Sequence, residues 1–263
     1  MGNTKTNNTY KTKIPFDPLN KGKRFIIIMR HGERIDNIDK KSQILPNEDP
    51  ELTQNGINQA INIGKKLRET YLKEIEISEI NIFSSPSART LMTAIYSSIS
   101  LNNKVLKNLC FITNLAEYGV TNGFKNNKKE SPMYYFIDSD KEYKKLWENF
   151  IIKPTKNDNF HFSRFDFQSN LIGMENPDEM KNRFMKVMES ILTYSSTSYC
   201  NSVNFAVSHQ LSICYMIEEC FKEMNVDIKD YIKEEHCGYC STYIFAFNEQ
   251  EKLEFLGDLK PDI

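Results

Sequence analysis

Runs of β-branched and apolar residues alternate along this chain with segments whose apolar residues recur every three or four positions. The first run, Phe25–Met29, is continuous and is typical of a central strand buried on both faces of a sheet. A helix is predicted from about Thr53, and a strand over Ile80–Phe83. A second helix should follow Ser84-Ser85-Pro86, because a capping serine there precedes proline at the first helical position.

The second half of the chain continues this alternation. Two strands are predicted near residues 104–106 and 111–115, and another over Val203–Val207. Asn176 should begin a helix, since proline follows at its first position and Glu179 stands at its third. Strands that alternate with helices predict a parallel or mixed sheet with helices on both faces. The predicted buried faces are Ile57, Ala60, Ile61, Gly64 and Leu67; Ala88, Leu91, Ala94 and Ile95; and Met180, Phe184, Val187, Met188 and Ile191.

Two regions depart from the alternation. Residues 1–20 are rich in Asn, Thr and Lys, so they bury too little apolar surface to offset the entropy of ordering. We therefore expect a flexible arm before a single domain over residues 21–263. Residues 118–174 are polar and aromatic without a period, and we interpret them as an insertion that caps a site. Their aromatic side chains either line that site or pack the insertion onto the core, and packing is favoured.

Composition narrows the classes of partner. Thirty-four Lys and Arg residues against thirty-five Asp and Glu give a net charge of -1, so no overall field favours nucleic acid. No apolar stretch is long enough for a membrane span, and the polar N-terminus lacks the apolar region of a secretory signal, so a cytoplasmic location is expected. Gly2 lies in an N-myristoylation pattern beside several lysines, which leaves membrane-surface contact open against an ordinary polar tail.

Five of the six cysteines lie in the last quarter of the chain, which is not the spacing of a small disulfide scaffold. We expect them to be reduced. Cys237 and Cys240 form a C-x-x-C beside His236, a pattern compatible with zinc or redox chemistry. No second pair stands at metal-ligand spacing, so packing at a strand end is the favoured interpretation.

Side chains that can bind anions lie at or after the ends of three predicted strands. Arg30-His31-Gly32 ends the first strand, Arg89 lies in the first turn after the second, and His209 follows the third. The carboxyl ends of parallel strands meet at one edge of a sheet, so these groups should converge. Guanidinium and imidazole groups beside a helix N-terminus form a typical phosphate site.

Four motifs that contain these residues resemble, in order, those of the histidine phosphatase, or phosphoglycerate mutase-like, superfamily. The resemblance covers about residues 23–215 and implies a three-layer α/β/α fold with a mostly parallel central sheet. It also implies catalysis without a metal or a cofactor. The motifs are Arg30-His31-Gly32-Glu33, Leu52-Thr53-x-x-Gly56-x-x-Gln59-Ala60, Ser84-Ser85-Pro86-x-x-Arg89-x-x-x-Thr93-Ala94 and Val207-Ser208-His209.

The resemblance assigns roles to individual residues. His31 corresponds to the nucleophile that forms a phosphohistidine, and Arg30, Arg89 and His209 correspond to groups that bind the phosphoryl oxygens. Such a pocket acts by positioning and by stabilising spread charge.

The acidic residues are less clearly assigned. Glu117, after a predicted strand end, is the candidate proton donor, with a surface position or replacement by Asp166 or Glu175 as alternatives. Glu33 is interpreted as a support that orients a neighbouring arginine through a salt bridge.

Arg34 indicates a branch of the superfamily. The segment from Arg30 to Asp36 resembles the phosphatase domain of the suppressor of T-cell receptor signalling proteins, in which the second arginine also faces the phosphate; a solvated loop arginine is the alternative. Glycolytic mutases carry a small hydroxyl residue at this position, although Asn37 does match their asparagine.

The expected substrates are therefore phosphotyrosine-like or small phosphomonoesters, carried by small molecules or by phosphoproteins. A phosphoglycerate mutase or a sugar-phosphate phosphatase is the alternative within the superfamily. A catalytically silent phosphate-binding adaptor is the alternative of another class. The oligomeric state stays open, with a homodimer among the options.

Overall fold

The computed structural model describes residues 22–39, 41, 49–85, 87–101, 104–116, 160–164, 176–230 and 237–262. These residues form strands joined by helices and short turns. The strands are β1 (Arg24–Arg30), β2 (Glu79–Ser84), β3 (Lys107–Phe111), β4 (Phe160–Arg164), β5 (Ser202–Ser208), β6 (Thr242–Phe247) and β7 (Leu253–Leu259). The helices are α1 (Gln54–Thr70), α2 (Ala88–Leu101), α3 (Pro177–Ser196) and α4 (Gln210–Glu223).

The strands form one mixed sheet in the order β4-β3-β2-β5-β1-β6-β7. The strands from β4 to β1 in this order are parallel, β6 pairs antiparallel with β1, and β7 pairs antiparallel with β6. Helices α1 and α2 pack on one face and α3 and α4 on the other. The predicted three-layer α/β/α fold with a mostly parallel sheet is confirmed.

The apolar run of β1 supplies both faces of the sheet. Phe25, Ile27 and Met29 join the core beneath α1 and α2, whereas Ile26 and Ile28 join the core beneath α3 and α4. Because both faces of the sheet are covered, the strand shows no polar alternation. Its buried position also fixes the backbone that leads directly into His31.

Two predicted strands between residues 104 and 115 are replaced by the single strand β3 and a 3-10 turn at Thr113–Leu115. Leu106 is exposed, whereas Lys107 is buried with its ammonium 5.2 Å from the centre of the Phe160 ring. Because of this contact with β4, β3 begins at Lys107, after the first strand that the apolar pattern predicts at residues 104–106.

Part of the predicted insertion belongs to the sheet. Strand β4 lies within residues 118–174, and it pairs with β3 as a parallel edge strand. The other residues of that range, and the predicted arm over residues 1–20, lie outside the described residues.

The helix starts follow side-chain caps. Thr53 accepts the Gly56 N–H at 2.9 Å, and Asn176 forms the expected capping box with Glu179. Helix α2 begins at Ala88, two residues after the predicted start at Pro86, which is itself not described. A long-range contact determines this start, because the Asp49 carboxylate accepts the Ala88 N–H at 2.8 Å.

The predicted faces of α2 and α3 are buried, but the face of α1 is rotated from its predicted position. Ile57 and Ile61 are only partly buried, while Gly56 and Ile63 are buried in their place. A Cβ on Gly56 would lie 2.3 Å from the Glu33 carbonyl oxygen, so this glycine lets the helix approach the loop after β1.

Strands β6 and β7 were not predicted from the sequence. Strand β6 pairs antiparallel with β1, from Met29 opposite Thr242 to Arg24 opposite Phe247. The turn that precedes β6 therefore lies beside the carboxyl end of β1. All six cysteines are described, and none forms a disulfide. No helix in the described part of the chain is long and apolar enough to cross a membrane.

Candidate active site

His31 and His209 lie side by side at the carboxyl edge of the sheet. They follow β1 and β5, which pair in parallel with Arg30 opposite Ser208. The His31 N–H donates to the Ser208 carbonyl at 3.0 Å, and the ring centroids of the two histidines are 5.4 Å apart. Both side chains are 2% exposed. The structure thus brings these two predicted site residues together.

The hydrogen bonds of His31 fix its tautomer. Its Nδ1 lies 2.8 Å from the Gly32 carbonyl oxygen, which can only accept, so Nδ1 carries the proton. The Nε2 atom then holds the lone pair. Burial, followed by the charge of Arg89, lowers the pKa of His31 well below its usual value. The imidazole is therefore neutral and nucleophilic near pH 7.

Gly32 holds this histidine against α1 and α2. Its N–H donates to Thr93 Oγ1 at 2.9 Å, and a Cβ at this position would lie 2.7 Å from the Gly56 carbonyl oxygen. Because that oxygen belongs to the backbone, it has little freedom to move away. Only glycine fits here, which explains the third residue of the Arg-His-Gly motif.

Arg89, at the start of α2, forms a hydrogen bond with His209. Its Nη2 lies 3.3 Å from His209 Nδ1, and since a guanidinium can only donate, Nδ1 is the acceptor. His209 Nε2 then donates to Ser85 Oγ at 2.9 Å. Burial, and next the charge of Arg89, lowers the pKa of His209 well below its usual value, so this ring is also neutral.

Asp49 is a site residue that the sequence did not reveal. Its Oδ1 lies 3.7 Å from Arg89 Nη1 and also accepts the Ala88 N–H, and its side chain is 5% exposed. The carboxylate therefore braces Arg89 at the first turn of α2. It stands three residues before the second motif and carries no pattern of its own, so only its contacts identify it.

Arg30 is held by the turn that precedes β6, which was also missed. Its Nη1 donates to the Cys237 carbonyl at 2.7 Å, and its guanidinium carbon lies 4.6 Å from the centre of the Tyr239 ring. The Tyr239 ring centre is 5.8 Å from that of His31, and its hydroxyl accepts a hydrogen bond from the Asn37 amide. The C-x-x-C pattern marked this turn, but its backbone and its tyrosine make these contacts.

Arg34 lies near the histidines and contacts Asp36. Its Nε donates to Asp36 Oδ1 at 2.6 Å, and its Nη2 donates to Oδ2. The hydrogen bond from Arg34 lowers the pKa of Asp36, and the charge of Arg34 helps to lower the pKa of both His31 and His209. Arg34 thus adds to the positive potential of the site.

Of the acidic residues given a role in the site from the sequence, only Glu33 lies in the described part of the chain. Glu33 accepts a hydrogen bond from Thr53 Oγ1 at 2.7 Å, so its described partner is the cap of α1 rather than the predicted arginine. Glu117, the candidate proton donor, lies outside the described residues, as do Asp166 and Glu175. Among the residues that are described, no group of three or more His, Cys, Asp or Glu is placed to hold a metal ion.

The two neutral histidines should make stability depend on pH. Their pKa values are lowered in the folded state, so below about pH 6.5 the unfolded chain binds protons that the folded chain does not. Stability contributed by the neutral rings is therefore lost as the pH falls below this value. We expect the free energy of unfolding to decrease by about 2 kcal/mol between pH 7 and pH 5.5. Urea titrations at both pH values measure it.

The matched controls for this prediction are two single substitutions. His31→Ala should remove about half of the decrease, since one of the two buried rings is then absent. Leu211→Ala should leave it unchanged, because the Leu211 side chain is exposed and carries no titratable group. A wild-type unfolding free energy that is constant over this range would contradict the assignment of neutral rings.

Comparison with known proteins finds a family model that matches part of the chain and solved structures with a similar fold. Residues 26–123, which contain His31 and Arg89, match the model of the histidine phosphatase superfamily (branch 1). No curated protein matches the sequence. Among solved structures, the ecdysone phosphate phosphatase from Bombix mori in complex with tungstate matches with a TM-score of 0.59 and 16% identity. That match covers 91% of this chain and 94% of the other.

Two further structures match with lower TM-scores. A phosphoglycerate mutase from Bacillus anthracis str. Sterne gives 0.48 at 17% identity, covering 91% of this chain and 94% of the other. A phosphoserine phosphatase from Entamoeba histolytica in complex with 3-phosphoglyceric acid gives 0.46 at 17% identity, covering 91% and 97%.

None of these matches tests the resemblance to the suppressor of T-cell receptor signalling proteins, which stays a prediction, as do the roles assigned to individual residues. The segment that matches the family model carries His31 and Arg89, and the likeness to the solved phosphatase concerns the fold alone. The chain is thus similar to the histidine phosphatase superfamily over residues 26–123.

Proposed function

We propose that this protein is a metal-independent phosphomonoesterase that works through a phosphohistidine on His31. The observation that carries the proposal is the state of that side chain. His31 is buried and neutral, with Nδ1 held by the Gly32 carbonyl and the lone pair on Nε2. Arg30, Arg34 and Arg89 all contribute positive charge at this ring. A neutral nucleophile in a cationic pocket suits attack on a phosphate dianion.

In the first step, Nε2 of His31 attacks phosphorus in line and a P–N bond forms while the P–O bond to the leaving group breaks. The arginines stabilise the charge spread over the phosphoryl oxygens, as does His209 by donating a proton or a hydrogen bond. Burial, and next the charge of Arg89, lowers the pKa of His209, and the negative charge of a bound phosphate would raise it. This neutral residue can thereby become a donor to the substrate.

The leaving oxygen needs a proton, for which Glu117 is the proposed donor. In the second step, a water molecule attacks the phosphohistidine, the P–N bond breaks, and inorganic phosphate and neutral His31 are formed. The conjugate base of the donor accepts the proton of that water. Protein side chains supply all the positive charge in this scheme, so it requires no metal ion.

The proposed substrates are phosphotyrosine-like or small phosphomonoesters. The resemblance of the segment around Arg34 to the suppressor of T-cell receptor signalling proteins supports an aryl phosphate, and the name of the ecdysone phosphate phosphatase supports phosphatase activity on this fold. Arg34 lies close enough to the histidines to lower their pKa values, which supports its proposed contact with the phosphate.

The test is hydrolysis of p-nitrophenyl phosphate by the purified protein in EDTA, with and without vanadate. We expect turnover that persists in EDTA and that vanadate inhibits, because vanadate adopts the trigonal bipyramidal geometry of the transition state. A panel of phosphopeptides and sugar phosphates then ranks the substrates.

Three outcomes would contradict the proposal. Interconversion of phosphoglycerates without net hydrolysis would identify a mutase. Vanadate binding without turnover of any phosphomonoester would indicate a silent phosphate-binding adaptor. Activity that EDTA abolishes and added metal restores would refute the metal-independent mechanism.

A further inference from the structure

The turn before β6 contacts the two residues that end β1. The Cys237 carbonyl accepts from Arg30 Nη1 at 2.7 Å, and the Ser241 carbonyl accepts from the Arg30 backbone N–H at 3.1 Å. The Cys240 N–H donates to the His31 carbonyl at 3.2 Å. One turn near the end of the chain therefore fixes the backbone of both residues and one edge of the Arg30 guanidinium.

Tyr239 lies in the middle of this turn and contacts both side chains. The Arg30 guanidinium carbon is 4.6 Å from the centre of its ring, and the His31 ring is 5.8 Å away, tilted by 48°. The tyrosine hydroxyl accepts a hydrogen bond from the Asn37 amide, which belongs to the loop after β1. Tyr239 thus connects the arginine, the histidine and the loop that carries Arg34.

We propose that Tyr239 is a positioning residue of the phosphate pocket, which holds the Arg30 guanidinium in its phosphate-binding orientation through a cation–π stack. This proposal rests on the proposed function of the site. An arginine has several rotatable bonds, and ordering it only when the ligand arrives would weaken binding. The Cys237 carbonyl fixes one edge of the guanidinium and the Tyr239 ring fixes its plane, so its orientation is set beforehand.

The physical interaction is specific to a charged group over an aromatic face. The negative face of the ring attracts the guanidinium, and the attraction is stronger where water is partly excluded, as in this half-buried pair. If Tyr239 only packed the turn, its loss would lower stability without depending on Arg30. If it positions Arg30, its loss weakens anion binding only while Arg30 is present.

The experiment compares Tyr239→Leu, Tyr239→Phe and Tyr239→Trp with the wild-type protein in p-nitrophenyl phosphate turnover and in vanadate affinity measured by calorimetry. We expect Tyr239→Leu to weaken vanadate binding and to lower kcat/KM by about 10- to 30-fold, since the stack is lost. The phenylalanine and tryptophan variants keep the aromatic face and should stay within about threefold of the wild type.

A double-mutant cycle with Arg30→Met isolates the pairwise effect. In the Arg30→Met background, Tyr239→Leu should not weaken vanadate binding further. Tyr199→Leu is the matched control, because Tyr199 is exposed and its carbonyl accepts the Gly22 N–H near the opposite end of β1. We expect this control to bind vanadate as tightly as the wild type.

Phenylalanines with one, two and three ring fluorines at position 239 provide a second test that keeps the shape of the aromatic side chain. This series also tests the proposal if the Tyr239→Leu protein does not fold. Fluorine withdraws charge from the ring face, so vanadate affinity should fall stepwise with each fluorine. An affinity that is flat along this series, or an equal loss for Tyr239→Leu with and without Arg30, would overturn the proposal. Failure of the proposed function is distinguishable, because it would appear as absent turnover in the wild type.

Discussion

Replacement of His31 by alanine is expected to lower kcat for p-nitrophenyl phosphate by at least about 10⁴-fold, the scale seen when a covalent nucleophile is removed. The reason is that no phosphohistidine can form without the Nε2 lone pair that the Gly32 carbonyl directs. Steady-state assays measure the loss. Rapid-quench mass spectrometry of the wild type should show an acid-labile adduct with the mass of one phosphoryl group on the peptide that contains His31.

The control for this experiment is His161→Ala, which removes an exposed histidine from the edge of the sheet and should keep wild-type turnover. Circular dichroism of His31→Ala should show the wild-type fold, since the removed ring follows the end of β1 and lies outside both hydrophobic clusters. Substantial turnover by a folded His31→Ala protein would exclude His31 as the nucleophile.

Arg89→Ala is expected to cost about 2–4 kcal/mol of transition-state stabilisation, which corresponds to a decrease of about 30- to 1,000-fold in kcat/KM. Arg89 lies between His209 and Asp49: its Nη2 is 3.3 Å from His209 Nδ1, and its Nη1 is 3.7 Å from Asp49 Oδ1. Its loss removes a donor to the phosphoryl oxygens and also leaves the buried Asp49 carboxylate beside the phosphate. Both changes disfavour an anion, so vanadate affinity should fall together with kcat/KM.

Arg89→Lys separates charge from geometry. An ammonium group keeps the positive charge, but it cannot reproduce a planar fork that reaches His209 and Asp49 at the same time. We therefore expect an intermediate loss of kcat/KM. A vanadate affinity unchanged in Arg89→Ala would show that this arginine does not bind the phosphoryl group, and equal rates in the lysine and wild-type proteins would show that only its charge matters.

The two predictions above concern His31 and Arg89, which the sequence motifs already identified. The residues that hold the site in place were identified only from the structure. His31 and Arg89 each follow a strand, and parallel strands bring such residues to one edge. Asp49 and Tyr239 stand outside the motifs. Tyr239 contacts Arg30 across more than 200 positions of sequence, and the atom that binds Arg30 Nη1 is a backbone carbonyl, which every residue possesses. No side-chain pattern could have revealed that contact.

The helix boundaries also differ in whether nearby or distant residues determine them. The start of α3 was predictable because its capping box consists of Asn176 and Glu179, three residues apart. The start of α2 was predicted two residues early, because Asp49, 39 residues away, supplies the acceptor for the Ala88 N–H. Local signals determine a boundary only when the capping groups are themselves local.

By itself, the sequence determined the buried strand β1, the alternation of strands and helices, and the edge at which His31, Arg89 and His209 meet. Each of these depends on local periodicity or on the general geometry of parallel sheets. The tertiary structure decided the pairing of β6 with β1, the place of β4 at the sheet edge and, through burial and the charge of Arg89, the neutral state of both histidines. These features depend on contacts between segments that are distant in sequence, and such contacts form and contribute free energy only in the folded chain.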